Sequence, residues 1–267
     1  MKVLIVLAHP EPQSFNGSLF KVSINELKAQ GHEVKTSDLY SMKWKSEIDR
    51  EDFLSLSPDA RLKPAFASGE AYATGNLTED VKIEQEKLLW ADAVLIHFPL
   101  WWYSMPAILK GWIERVFSMG FAYGLGEYND KHFGNRYGEG PFVGKRAMLV
   151  VTIGGRKEHY SARGIAGPLD DLLFPINHGV LYYPGFDVLP SHVIYRTDKL
   201  DEVGFEREAE VLREKLRQLD TIEPIAYRPQ NGGDYELPSL LLKPGLEEDN
   251  TSGFSLHVRK TREAECK

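Results

Sequence analysis

The sequence predicts an α/β fold, a doubly wound five-stranded parallel sheet carrying a C-terminal extension, and three observations predict it. Short runs of branched apolar residues recur, segments of helical period separate them, and the loops after three of the runs hold residues suited to ligand contact. The 267 residues are 42% hydrophobic and 27% charged, enough apolar material for a sizeable core, which excludes a disordered, collagenous or coiled-coil chain. With 39 acidic against 32 basic residues the net charge is -7, so no general attraction to nucleic acid or an anionic membrane is expected.

The first run, residues 3–7, is stopped by His9 and Pro10 and is too short to span a membrane. No other window reaches the roughly 18 apolar residues that a spanning helix needs, so no stable membrane insertion is expected. A helix is predicted over residues 15–30, followed by a more polar strand over 31–39, as suits an outer position. Helix 78–90, strand 93–98, helix 107–117 and strand 147–151 follow. Helix 168–178, strand 180–183 and helix 200–219 complete the set. Each strand-to-helix unit should cross over right-handedly.

Two stretches exceed a minimal sheet domain: residues 40–76, irregular and proline-bearing, and 224–267, rich in Pro, Gly and charge. Both are expected to pack on a neighbouring subunit. The second holds Tyr227, Tyr235, Leu237, Leu240, Leu241, Leu242 and Phe254 in too little chain for a core of its own. The predicted organisation is a catalytic domain over residues 1–220 and an extension over 221–267 that packs on a dimer partner. The single cysteine, Cys266, can form neither an internal disulfide nor a multi-cysteine metal site, which favours a reducing cytoplasm.

Ligands of a doubly wound sheet bind at the carboxyl ends of its strands, near the switch in strand order. After strand one, His9-Pro10-Glu11-Pro12-Gln13-Ser14-Phe15-Asn16 runs into a helix, whose unpaired N–H groups and positive dipole end suit a phosphate or pyrophosphate. The competing reading, the lesser of the two, is that Ser14 is simply an N-cap. Neither G-x-G-x-x-G nor G-x-x-x-x-G-K-[ST] is present. After the strand at 93–98, Pro99-Leu100-Trp101-Trp102-Tyr103-Ser104-Met105-Pro106 sets three aromatics between prolines, where a planar ring would stack; packing is the competing role. After the strand at 147–151, Thr152-Ile153-Gly154-Gly155 permits close backbone approach. An anionic chain on one loop and a flat polar ring on two others describe a flavin nucleotide.

No G-x-S-x-G elbow or Walker lysine supports acyl or phosphoryl transfer. The eight histidines include no H-E-x-x-H, and no metal site is expected. Lys110, Glu114 and Arg115 on one helix read as a salt-bridged surface or interface patch, with Glu114 a weaker second candidate near the site.

These segments resemble the flavodoxin-like NAD(P)H:quinone reductases of the DT-diaphorase type. The likeness is carried by residues 3–10 with Ser14-Phe15-Asn16, by 98–117, by Phe121-Ala122-Tyr123, by Thr152-Ile153-Gly154-Gly155 and by Pro184-Gly185-Phe186. It runs over about residues 1–220 and is most specific around 98–123; Gly253-Phe254-Ser255-Leu256-His257 is similar to the family's C-terminal segment. Family members of this length are homodimers with one FAD per subunit at the interface.

The resemblance implies that His9, Ser14, Phe15 and Asn16 hold the pyrophosphate and adenosine side of FAD. Pro99, Leu100, Trp101, Trp102 and Tyr103 line the ring system on one side, and Thr152, Ile153, Gly154 and Gly155 on the other. Tyr160 matches a tyrosine that hydrogen-bonds the flavin pyrimidine edge, so Tyr160, Gly154 and Gly155 are the implied catalytic positions. Trp102 and Tyr103, with Tyr123 and Tyr183 from the partner, wall the pocket for nicotinamide and quinone. Three departures stand out: Ala166 replaces a proton-relaying histidine, Leu125 replaces a pocket tyrosine, and residues 126–140 look like an insertion. The expected reaction is ping-pong hydride transfer from NADH or NADPH through flavin N5 to a quinone or similar acceptor. Two rival readings are an ancillary regulatory flavoprotein of a potassium efflux system, against which the C-terminal extension argues, and a one-electron FMN carrier, against which the aromatic pocket argues.

Overall fold

A computed structural model describes residues 1–247 and 251–259, leaving Cys266 outside the described residues. Its central sheet is parallel in the order β2-β1-β3-β6-β7, with β8 also pairing β6. The strands are β1 (Lys2–Leu7), β2 (Glu33–Asp38), β3 (Ala93–Pro99), β6 (Arg146–Ile153), β7 (Asp187–Val188) and β8 (His192–Tyr195). A hairpin of β4 (Tyr128–Asn129) and β5 (His132–Phe133) stands apart from this sheet. Burial follows position: all seven residues of β3 are buried, whereas β2, at the edge, exposes Glu33, Lys35 and Thr36.

Alternate residues of the central strands feed two cores, as a sheet covered on both faces requires. Val3, Ile5, Leu95, Met148 and Val150 pack with Leu19 and Leu27 of α1 (Phe15–Ala29) and Leu212 and Leu216 of α6 (Glu202–Arg217). Leu4, Val6, Ile96, Leu149 and Val151 face the other way. They meet α3 (Glu79–Trp90), α4 (Ala107–Val116) and α5 (Leu169–Ile176).

One predicted strand is not a strand. Residues 180–182 lie in a π-helical turn, Asn177–Tyr182, that continues α5 and is capped by Tyr183, and the fifth position of the sheet falls to β7 and β8. A short apolar run has no periodicity that separates a buried strand from a buried helical turn. Leu181 and Tyr182 are buried by the turn, while Leu189-Pro190-Ser191 divides the true fifth strand in two.

Residues 40–76 are more regular than predicted. They contain α2 (Pro64–Thr74), opened by Pro64 in the first turn and closed by Gly75 at φ 71. Trp44, Phe53, Ala67 and Ala71 are buried in the core of the same chain. The anchor is Arg115, which is buried rather than part of a surface patch. Its guanidinium is 2.8 Å from carboxylate oxygens of both Asp52 and Asp80 and lies 4.5 Å over the Trp44 ring. Lys110 and Glu114 do form an exposed pair.

The extension also begins on its own chain. Ile225 N–H donates to Val188 O at 2.7 Å, Tyr227 is buried, and Arg259 N–H donates to Ala226 O at 2.8 Å. Phe254 stacks on Phe174 with ring centroids 4.4 Å apart, while Leu241 and Phe254 stay largely exposed.

Two outcomes follow from this packing. Arg115→Met leaves the buried Asp52 carboxylate with only the more distant Lys45 ammonium at 3.4 Å for a counter-charge and is expected to cost about 3 kcal/mol, read as a lower urea midpoint. Burial also pushes the imidazoles of His97 down to about 3 and His192 to about 4. The unfolded chain therefore takes up protons below pH about 6.5 that the folded chain refuses, and stability falls with falling pH. The slope from these two groups is about 1.4 kcal/mol per pH unit each, down to about pH 4, measured by urea unfolding at a series of pH values.

Candidate functional site

The parallel sheet brings the loops after β1, β3, β6 and β8 to one edge. Between them is a cavity of about 310 Å³ lined by His9, Phe15, Asn16, Pro99, Leu100, Trp101, Thr152 and Gly154, all predicted, and by Thr197 and Asp198. The last two were missed because the fifth strand was misplaced. A strand ending at Tyr195, not Tyr183, sends residues 196–198 to the same edge, where Arg196 N–H donates to Gly155 O at 3.1 Å.

Each loop is fastened to its neighbour. Ser14 is the N-cap of α1, its Oγ accepting from Gly17 N–H at 3.1 Å. Asn16, buried in the first turn, donates through Nδ2 to Thr152 Oγ1 and so ties α1 to the end of β6; its Oδ1 has no protein partner. Leu100 N–H donates to Thr152 O at 2.9 Å. His9 accepts at Nδ1 from Glu11 N–H at 3.0 Å, which leaves its proton on Nε2, and its ring centre is 5.6 Å from that of Trp101. Burial lowers the His9 pKa against an opposing pull from Glu11, so the ring is neutral at pH 7.

The two glycines have different tasks. A Cβ on Gly154 would meet nothing nearer than Asp198 Oδ1 at 4.0 Å, so the missing side chain keeps the cavity open. A Cβ on Gly155 would lie 2.9 Å from Cε2 of Tyr160, so this glycine lets the Tyr160 ring settle over the strand end. Burial raises the Tyr160 pKa, with a further push from Tyr103, and the hydroxyl remains a donor at neutral pH. Ile153 turns its side chain into the core and can offer the site only its backbone.

Other predicted residues stand outside this cavity. Trp102 and Tyr103 adopt left-handed backbone with φ 50 and 60, and Trp102 is 96% exposed. Two consecutive non-glycine residues in that region cost on the order of 1–2 kcal/mol each, and the cost holds the rings out from the surface. Tyr123 and Tyr183 are half-buried and do not line the cavity; Tyr183 lies edge-on to Tyr137 at 4.9 Å. Ala166 has no ionisable side chain, and its N–H donates to His159 O at 3.0 Å. Among the described residues no group of three or more His, Cys, Asp or Glu could hold a metal, and no helix is long and apolar enough to cross a membrane.

An open α/β sheet with a cavity at its strand ends defines the doubly wound α/β class of protein, and comparison makes the class specific. The family described as having a flavodoxin-like fold matches residues 1–219, and the chain belongs to it. It is 58% identical over 259 residues to a ribosyldihydronicotinamide dehydrogenase-like protein of Penicillium crustosum, covering 97% of this chain and 96% of the relative. It is 35% identical over 263 residues to NAD(P)H dehydrogenase [quinone] 1 of Rattus norvegicus, covering 96% and 92%. A crystal structure from Klebsiella pneumoniae, provisionally assigned as a quinone reductase, superposes with a TM-score of 0.94 at 55% identity, covering 97% of this chain and 100% of that one.

His9 is expected to titrate below 6.5 with its proton on Nε2. Long-range proton–nitrogen NMR on histidine-labelled protein reads both properties.

Proposed function

We propose that this chain is an NAD(P)H:quinone oxidoreductase that holds FAD in the cavity at the strand ends and acts as a homodimer. The observation that carries the reading is the convergence of four loops on one cavity: a helix N-terminus, an aromatic loop, the loop carrying Gly154, and residues 197–198. The residues present fit a flavin nucleotide. The first turn of α1 offers N–H groups and a positive dipole end to a pyrophosphate, and the space beside Gly154 admits a flat ring against the backbone. Asn16 Oδ1 is a buried acceptor with no protein partner.

When bound, the flavin supplies two-electron hydride acceptance and release at N5, so donor and acceptor can use one pocket in turn, as a ping-pong reaction requires. The chain positions and screens. Pro99, Leu100 and Trp101 would cover one side of the ring, and the backbone of residues 152–155 would cover the other. N–H groups there favour negative charge on the ring. Tyr160 presents a protonated hydroxyl as hydrogen-bond donor and, with alanine at 166, works without a histidine partner.

A second copy of the chain completes the pocket in this reading. Trp102, Tyr103, Leu241 and Phe254 are exposed large apolar side chains of the kind that a subunit interface covers. Tyr123 and Tyr183 come from the partner, as does further cover from residues 221–267. NADH or NADPH is the donor, a quinone or similar small electrophile the acceptor, and the cytoplasm the compartment.

The test is to release and identify the flavin by chromatography, measure the mass by light scattering, and follow anaerobic bleaching with NADH or NADPH before reoxidation with menadione. FAD that bleaches and recovers, on a particle twice the chain mass of 30.3 kDa, is the expected result. No flavin after reconstitution overturns the reading, and FMN with a stable blue semiquinone replaces it with a one-electron carrier. Tyr160→Phe is expected to slow stopped-flow flavin reduction by on the order of 10²-fold, the lower end of general acid–base contributions. An unchanged rate removes Tyr160 from the chemistry.

A further inference from the structure

We propose that Arg136, in the insertion over residues 126–140, forms a binding site for the anionic group of a planar aromatic ligand. Its guanidinium is fixed and uncompensated. Nε donates to Gln230 Oε1 at 2.6 Å, and Gln230 is itself buried, its Nε2 donating to the carbonyls of Phe133 and Gly134. Neither Nη1 nor Nη2 meets a hydrogen-bond or ion-pair partner among the described residues. The closest acid in sequence, Glu139, is engaged with Asn231 Nδ2 at 2.9 Å and lies 3.7 Å from His132. In a chain of net charge -7, a half-buried arginine with no carboxylate partner among the described residues is a cation held for something else.

Its surroundings define the ligand. The guanidinium carbon lies 4.8 Å over the Phe133 ring and 5.8 Å from that of Tyr183, so two aromatic faces flank the charge. A guanidinium held at Nε presents its two terminal nitrogens side by side, the fork that matches carboxylate, sulfonate or phosphate oxygens. The rings beside it favour a flat apolar body attached to that anion.

The backbone is strained to keep this arrangement. Tyr137, the next residue, has φ 50, unfavourable for an aromatic side chain. It is bolted on both sides: its N–H donates to Tyr183 O at 2.9 Å, and its carbonyl accepts from Gln230 N–H at 3.0 Å. The insertion is thereby locked to the π-helical segment and to the C-terminal extension, with Arg136 at the junction. The link to catalysis rests on the proposed reductase reading, in which Tyr183 walls the pocket; the anion is then carried by the acceptor or is the 2′-phosphate of NADPH.

The holoenzyme, without any hydride donor, is titrated by calorimetry with naphthalene-2-sulfonate, which cannot be reduced, and with neutral 2-naphthol. Arg136→Gln is expected to weaken the sulfonate roughly tenfold to a hundredfold relative to the naphthol, as loss of a charge-assisted hydrogen bond does, and Arg136→Lys to restore part of the difference. Thermal unfolding checks that both variants fold. Two kinetic ratios identify the source of the anion. A fall in kcat/KM for 1,2-naphthoquinone-4-sulfonate against menadione assigns it to the acceptor, and a fall for NADPH against NADH assigns it to the donor. Unchanged sulfonate affinity in Arg136→Gln overturns the proposal. A wild-type protein that reduces no quinone overturns the reductase reading and leaves the calorimetric result standing.

Discussion

Everything at the candidate site depends on β6 running parallel to β3 on one side and to β7 and β8 on the other. Val150, Val151, Thr152 and Ile153 pair with residues 192–195, and residues 146–152 pair with 93–99, so three strand ends are held in register by one backbone ladder. The direct bonds between loops, from Leu100 N–H to Thr152 O and from Arg196 N–H to Gly155 O, extend that ladder past the strands. The cavity walls therefore inherit the rigidity of the sheet, and no long loop has to find its place independently.

Much of this was legible in the sequence because its signals were local and strong. The fully apolar run at 93–98, the helix with a serine just before it, and the aromatic loop between prolines each announce themselves without reference to the rest of the chain. The misreading at 180–183 has a physical origin: Val180-Leu181-Tyr182 is apolar enough to be buried in either conformation, and tertiary packing decided. That one displacement concealed Thr197 and Asp198, since a ligand edge can be located only from where a strand ends. Arg115 was misread for a related reason. Its partners Asp52 and Asp80 are 63 and 35 positions away, and a charge matched at that distance looks like a surface residue on its own helix.

Cost and benefit are distributed unevenly over the fold. The left-handed residues Trp102, Tyr103 and Tyr137 oppose ordinary backbone preference; the first two carry exposed rings, and Tyr137 lies edge-on to Tyr183. The buried scaffold under them is conventional: β-branched strands, a capped α1, a proline-opened α2. Positions where local rules fail are where a working surface is to be sought.

The break in the fifth strand has a consequence for solubility. A parallel sheet exposes unpaired N–H and C=O groups along both outer margins, a template on which other chains can align and polymerise. On one margin the template is only two residues of β7 and four of β8, with Pro190, which has no N–H, between them. On the other margin β2 sets Glu33 and Lys35 outward. The same irregularity that disguised the strand in the sequence leaves the central sheet, among the described residues, with no long, flat, uncharged rim on which to aggregate.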